Sequence, residues 1–188
     1  MAQYYYSDRQ VRTEDLVDGA VTPAKLSFGT WEKIAEVELT STVASVEFTG
    51  LDGDNDKFYL VVVYFVNADS GNPRVCAIRF NNDSGTNYNN QYISGDGTSV
   101  SAGSNTGATV GSGLYAKAGA KVVGFYLIHA VSGQVRVAGL LSTYGAYIKI
   151  AGITWTNTTD NLTSITLLCP DGAYLGAGSR FVLFRLSQ

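Results

Sequence analysis

From Trp31 onward the chain is cut into short apolar or alternating runs, most of them closed by Gly, Asn, Asp or Ser, with no amphipathic helical stretch between them. That punctuation excludes βαβ units and points to a sheet protein. Ile34 to Leu39 mixes apolar and acidic positions as a half-buried strand does, and Val43 to Phe48 puts Val46 and Phe48 on one face. Phe58 to Val66 is continuously apolar and is expected to be a central strand covered on both faces. Further strands are read at Arg74 to Phe80, Tyr88 to Ile93, Thr109 to Ala116, Lys121 to His129, Val135 to Leu141, Tyr147 to Thr154, Leu162 to Leu168 and Arg180 to Leu186. Ser94 to Gly107, built almost wholly of Gly, Ser, Asp, Asn and Thr, is expected to be an exposed loop. Roughly nine to ten short strands at regular spacing define an all-β chain: a single sandwich, jelly-roll-like, over residues 30–188.

Residues 1 to 29 follow another rule. They carry charges of both signs, Thr13 can cap a first turn at Glu14-Asp15-Leu16, and Thr22 precedes Pro23, where a missing N–H costs nothing. Two single-turn helices joined at Asp18-Gly19 cannot hold themselves together in water. The segment is therefore expected to be a docking arm, anchored through Tyr4, Tyr5, Tyr6, Val11, Leu16, Val17, Val21, Leu26 and Phe28.

Composition narrows the partners. Of the 188 residues 45% are hydrophobic and 15% charged, so the chain can bury a core. A net charge of -3, with no concentration of Lys or Arg, argues against nucleic acid. The acidic side chains are lopsided, because Glu14, Glu32, Glu36, Glu38 and Glu47 all fall before residue 48 and no Glu follows. A weakly charged, hydroxyl-rich surface fits faces covered by neighbours, and poorly protected edges predict self-association. The start of the chain lacks the basic-then-apolar order of a signal peptide and its longest apolar run is far too short to span a bilayer, so a soluble chain made without a signal sequence, with no membrane partner, is expected.

No catalytic constellation is read. His129, the single histidine, ends an apolar strand and is taken as structural. Asp52, Asp54 and Asp56 have the alternate spacing of calcium-loop ligands, but Lys57 and Val63 occupy positions where that loop needs Gly and an acid. Cys76 and Cys169 lack zinc-like spacing and are read as free buried thiols, with a disulfide between them left open. No enzyme, cofactor or metal site is expected. Tyr88, Tyr92 and Tyr115, with Tyr144 and Tyr147, form an aromatic set that packing explains or that a surface ligand such as a host-surface glycan could use.

Two stretches carry a family resemblance. Asp18-Gly19-Ala20-Val21-Thr22-Pro23-Ala24-Lys25-Leu26 resembles an element of N-terminal and linker parts of bacteriophage tail-fibre and other virion proteins, and Val46 to Lys57, followed by Tyr59, is similar to a segment recurring in phage particle proteins. Phe80-Asn81-Asn82-Asp83, Asn87-Tyr88, Gln91-Tyr92 and Gly176 to Arg180 fit the same modules. The resemblance implies a β-sandwich subunit of a virion: a capsid decoration, vertex or fibre protein. Its partners would be copies of itself, as a trimer in preference to a pentamer, and other virion proteins. The alternative is a receptor- or glycan-binding module on the virion surface, with Ser94 to Gly107 and the nearby tyrosines as its site.

Overall fold

The computed structural model of the chain describes residues 30–134, 136–145 and 147–186. The arm, with all nine of its expected anchors, lies outside the described residues. The described strands are β1 (Trp31–Glu38), β2 (Ser45–Thr49), β3 (Phe58–Val66), β4 (Arg74–Phe80), β5 (Tyr88–Gly95), β6 (Val100–Ala108), β7 (Gly111–Ala116), β8 (Lys121–His129), β9 (Arg136–Tyr144), β10 (Tyr147–Trp155), β11 (Ser164–Leu168) and β12 (Arg180–Leu186). One turn of helix, α1 (Gly53–Asp56), precedes β3.

These strands form two antiparallel sheets packed as a sandwich. The wide sheet runs β1-β12-β3-β8-β9-β10-β5-β6 and the narrow one β2-β11-β4-β7. Along the chain β1, β3, β8 and β12 in the wide sheet alternate with β2, β4, β7 and β11 in the narrow one, while β5–β6 and β9–β10 are antiparallel pairs added to the wide sheet beyond β8.

The core follows from strand alternation. In β3, Tyr59, Val61, Val63 and Phe65 are fully buried between the sheets while the intervening residues are half-buried. The expectation that β3 is covered on both faces is therefore corrected for the single chain: its outer residues are apolar but only half-buried. Ile78, Leu114, Ile165 and Leu167 close the core from the narrow sheet.

The expected loop at Ser94 to Gly107 is corrected as well. Ser94 and Gly95 end β5, and Val100 opens β6, which pairs back in register Ile93↔Ala102 and Gln91↔Ser104. Asp96 shapes the turn, its Oδ1 accepting from the backbone N–H groups of Thr98 (3.0 Å) and Ser99 (2.8 Å), and Gly97 takes a φ of 90°. Strand pairing is a backbone property, so a run with almost no apolar side chains can still form an edge strand.

β7 is an edge of the narrow sheet, and side chains from the wide sheet take up its free backbone groups. Asn90 of β5 donates to the Val110 carbonyl (3.0 Å) and accepts from Ser112 N–H (2.8 Å). Tyr126 of β8 donates to the Cys76 carbonyl (2.9 Å) and reaches the Ser112 carbonyl (3.3 Å). Glycine makes the approach close: a Cβ on Gly113 would stand 2.2 Å from the Cys76 carbonyl oxygen. Replacing Asn90 by Ala should thus strand a donor and an acceptor beside β7 and cost roughly 1–3 kcal/mol, read as a lower urea midpoint at an unchanged slope.

Candidate functional site

Among the described residues, the side chains singled out from sequence do not converge. Tyr88 is fully buried, accepts a hydrogen bond from Phe80 N–H at 2.9 Å and packs 6.2 Å from the Phe80 ring. Its assignment as a surface-binding residue is corrected: it lies on the inner face of β5, in the core. Tyr92, two residues on, is half-buried on the same face. Tyr115 on β7 is half-buried with its ring 5.2 Å from that of Tyr147.

His129 packs against Phe58, ring centroids 5.1 Å apart. The three aspartates are engaged by the protein. Asp52 caps α1, bonded to Asn55 and, at 2.9 Å, to Asn161 Nδ2. Those two amide donors hold its carboxyl below the usual range. Asp54 accepts from Ser132 N–H at 2.6 Å, and Asp56 from the Tyr59 hydroxyl at 2.6 Å. Among the described residues no group of three His, Cys, Asp or Glu could hold a metal ion. Cys76 and Cys169 are buried and unpaired with each other, and burial pushes both thiols up.

Two features that sequence reasoning missed stand out. The first is the outer face of the wide sheet. Register carries one row across seven strands: Val182↔Val62 from β12 to β3, Val62↔Phe125 to β8, Phe125↔Leu141 to β9, Leu141↔Ile150 to β10, Ile150↔Ile93 to β5 and Ile93↔Ala102 to β6. Phe125 is 38%, Ile150 57% and Ile93 58% exposed, and Val123, Leu127, Val137 and Ile148 flank them, also exposed. Beside this ridge Gly139 and Gly152 face each other without side chains and open a groove of about 500 Å³, edged by Val137, Gln91, Ser104 and Thr154. β3, β8, β9, β10, β5 and β6 contain no carboxylate, whereas Lys33, Glu36 and Arg180 form an ion-paired rim at β1 and β12.

The second is Lys149. It is 9% exposed on the inner face of β10, its ammonium donating to the Gly113 carbonyl at 3.1 Å and lying 4.8 Å from the Tyr92 ring centroid. Burial alone lowers its amine from an ordinary 10.5 to about 8. Arg136, also buried on this face, is by contrast satisfied: it donates to the carbonyls of Ala130, Asn157 and Asp160 and stacks 5.0 Å from Trp155.

No protein-family model matches the chain, and no curated protein does. Among solved structures it is similar to the alginate lyase Aly36B, at 11% identity over 80% of this chain and 78% of that one, with a TM-score of 0.39. It is similar also to a mutant of that lyase in complex with alginate tetrasaccharide, at 11% identity over 81% of each chain and a TM-score of 0.31. A protein of unknown function from Shewanella oneidensis MR-1 aligns at 12% identity over 86% of this chain and 78% of that one, with a TM-score of 0.21. The expectation that the chain is no enzyme is corrected by these neighbours, which include an enzyme.

Lys149 sets a pH signature. An amine at about 8 when folded and 10.5 when unfolded binds fewer protons in the folded state between those values, so stability rises with pH across that window. Below pH 8 the full penalty applies, on the order of 3 kcal/mol. Denaturant titrations from pH 7.5 to 10.5 should show the rise, and Lys149→Met should flatten it.

Proposed function

We propose that the chain is a structural subunit of a virus particle, a decoration, vertex or fibre protein, that assembles with copies of itself through the outer face of the wide sheet and docks through residues 1–29. The observation that carries this reading is the apolar row from Val182 to Ala102. Exposed apolar surface of that continuity is found where another chain covers it. Seven strands at ~4.8 Å spacing and three rows of side chains make a face about 30 Å by 20 Å, on the order of 600 Å², near the ~800 Å² per partner of a standard stable interface.

A second copy is the occupant the face fits. From β3 to β6 its strands hold no carboxylate and a single exposed lysine, Lys121 at the start of β8, so two such faces bring little charge together, and the Phe125–Ile150 ridge lies beside the Gly139–Gly152 groove shaped to receive a partner's ridge. Charge lies on the β1–β12 rim and at Lys121, the first residue of β8, so that a largely apolar middle has a polar border. The chain order supports the jelly-roll form of the sandwich: β1-β12-β3-β8 opposite β2-β11-β4-β7 is the weave of two interlocked Greek keys, with β5–β6 and β9–β10 as additions. The resemblance of the 18–26 and 46–57 segments to virion proteins supplies the setting, and with it the expectation of a trimer in preference to a pentamer.

Sedimentation equilibrium tests the face. The native chain should associate, and Phe125→Lys or Ile150→Lys should weaken association at least tenfold with an unchanged circular dichroism spectrum. A native chain that stays monomeric at high concentration, or variants that associate normally, would count against it. For the arm, deletion of residues 1–27 should leave the melting temperature unchanged and abolish incorporation into particles; normal incorporation would refute the anchor.

A further inference from the structure

We propose that the cleft between β7 and the β5–β6–β10 part of the wide sheet is a binding site for a carboxylate, with the Lys149 ammonium as the cation that receives it. The cleft is open to solvent, has a volume of about 280 Å³ and is lined by Lys149, Asn90, Asn105, Gly113 and Asp171 among others. An ammonium carries three N–H donors, and Lys149 directs one to the Gly113 carbonyl. The Tyr92 ring takes part of its charge. No carboxylate among the described residues lies within ion-pair distance of it: Asp171, on the same wall, is bound by Arg74 at 3.2 Å. The amide of Asn90 is committed at both ends to β7. A buried charge without a counter-charge is among the costliest things a fold can keep, and here two donors remain for an incoming acceptor.

A second atom nearby is also unspent. Ser142 stands directly opposite Lys149 across the β9–β10 ladder, and its buried hydroxyl has no hydrogen-bond partner. On its other side Lys149 faces Ser94 of β5, also buried, so the cation sits in a polar row and no neighbouring cation competes for the ligand. One ammonium matches one negative charge, which selects a carboxylate over a phosphate dianion. The volume admits a small organic acid. An amine near pH 8 is charged in neutral solution, and an anion beside it holds the proton on.

The test follows the Lys149 Nζ signal by NMR of protein labelled in lysine, titrated in acetate, in acetamide and in chloride at equal ionic strength. The titration midpoint is expected near 8 in chloride and acetamide, and at least one unit higher in saturating acetate, a tenfold preference of the anion for the charged amine. Glucuronate against glucose asks whether a sugar acid binds as acetate does. A midpoint that acetate leaves where chloride leaves it overturns the proposal, and a larger shift in phosphate overturns the choice of carboxylate. Since Lys149→Met also removes the donor to Gly113, Lys149→Arg is the second variant: it stays charged, so acetate binding should persist at pH 10, where the native chain has lost it. Equal loss in both would overturn the assignment.

Discussion

An edge strand leaves a line of backbone donors and acceptors without a neighbour, and in a sandwich of unequal sheets that line falls inside the molecule. β7 is in this position: the narrow sheet ends there while the wide sheet continues beneath it through β9, β10, β5 and β6. Burying those groups unbonded would be costly. Asn90, Tyr126 and Lys149 meet the need from below. Their side chains replace the missing fifth strand of the narrow sheet, and they explain why the wide sheet carries polar groups on its inner face. The two added strand pairs can exist because something holds β7 down over them.

The same geometry divides the chain's chemistry between two surfaces. Inside, where four strands must cover eight, the packing is tight at Gly111 and Gly113 and polar where coverage runs out, at Ser94, Lys149 and Ser142. Outside, the reverse holds: β8, β9, β10 and β5 present Phe125, Leu141, Ile150 and Ile93 away from the core. β9 and β10 thus depart from the usual rule, with Arg136 and Lys149 within and Leu141, Ile148 and Ile150 without.

That inversion fixes what could be read from residues alone. Strands with β-branched and aromatic runs and firm turn signals were legible to the residue: Phe58–Val66, Arg74–Phe80, Lys121–His129 and Arg180–Leu186 occupy the positions their patterns imply. β6 was not, because Val100 to Ala108 is Gly, Ser, Asn and Ala, and nothing in that composition separates a paired edge strand from a loop. Tyr88 looked available because tyrosine is amphipathic, yet its hydroxyl is used within the core on Phe80. Lys149 was invisible for a stronger reason. In Tyr147-Ile148-Lys149-Ile150 simple alternation turns the isoleucines inward and the lysine outward, and only the register with β5 and β9 reveals the opposite.

β1 and β12 are neighbours, Trp31 opposite Leu186, so the first and last described strands close the wide sheet against each other. The sheet order is therefore completed by the last of the described strands to be made. Until Arg180 to Leu186 has emerged, β1 and β3 have no common partner, whereas the β5–β6 and β9–β10 pairs need only a short connecting turn and can form as soon as they are made. The molecule should acquire its local ribbons early and its closed sandwich late. Its antiparallel closure also sends whatever precedes Trp31 and whatever follows Leu186 out from one corner, so a segment attached at either end begins its path from the same place.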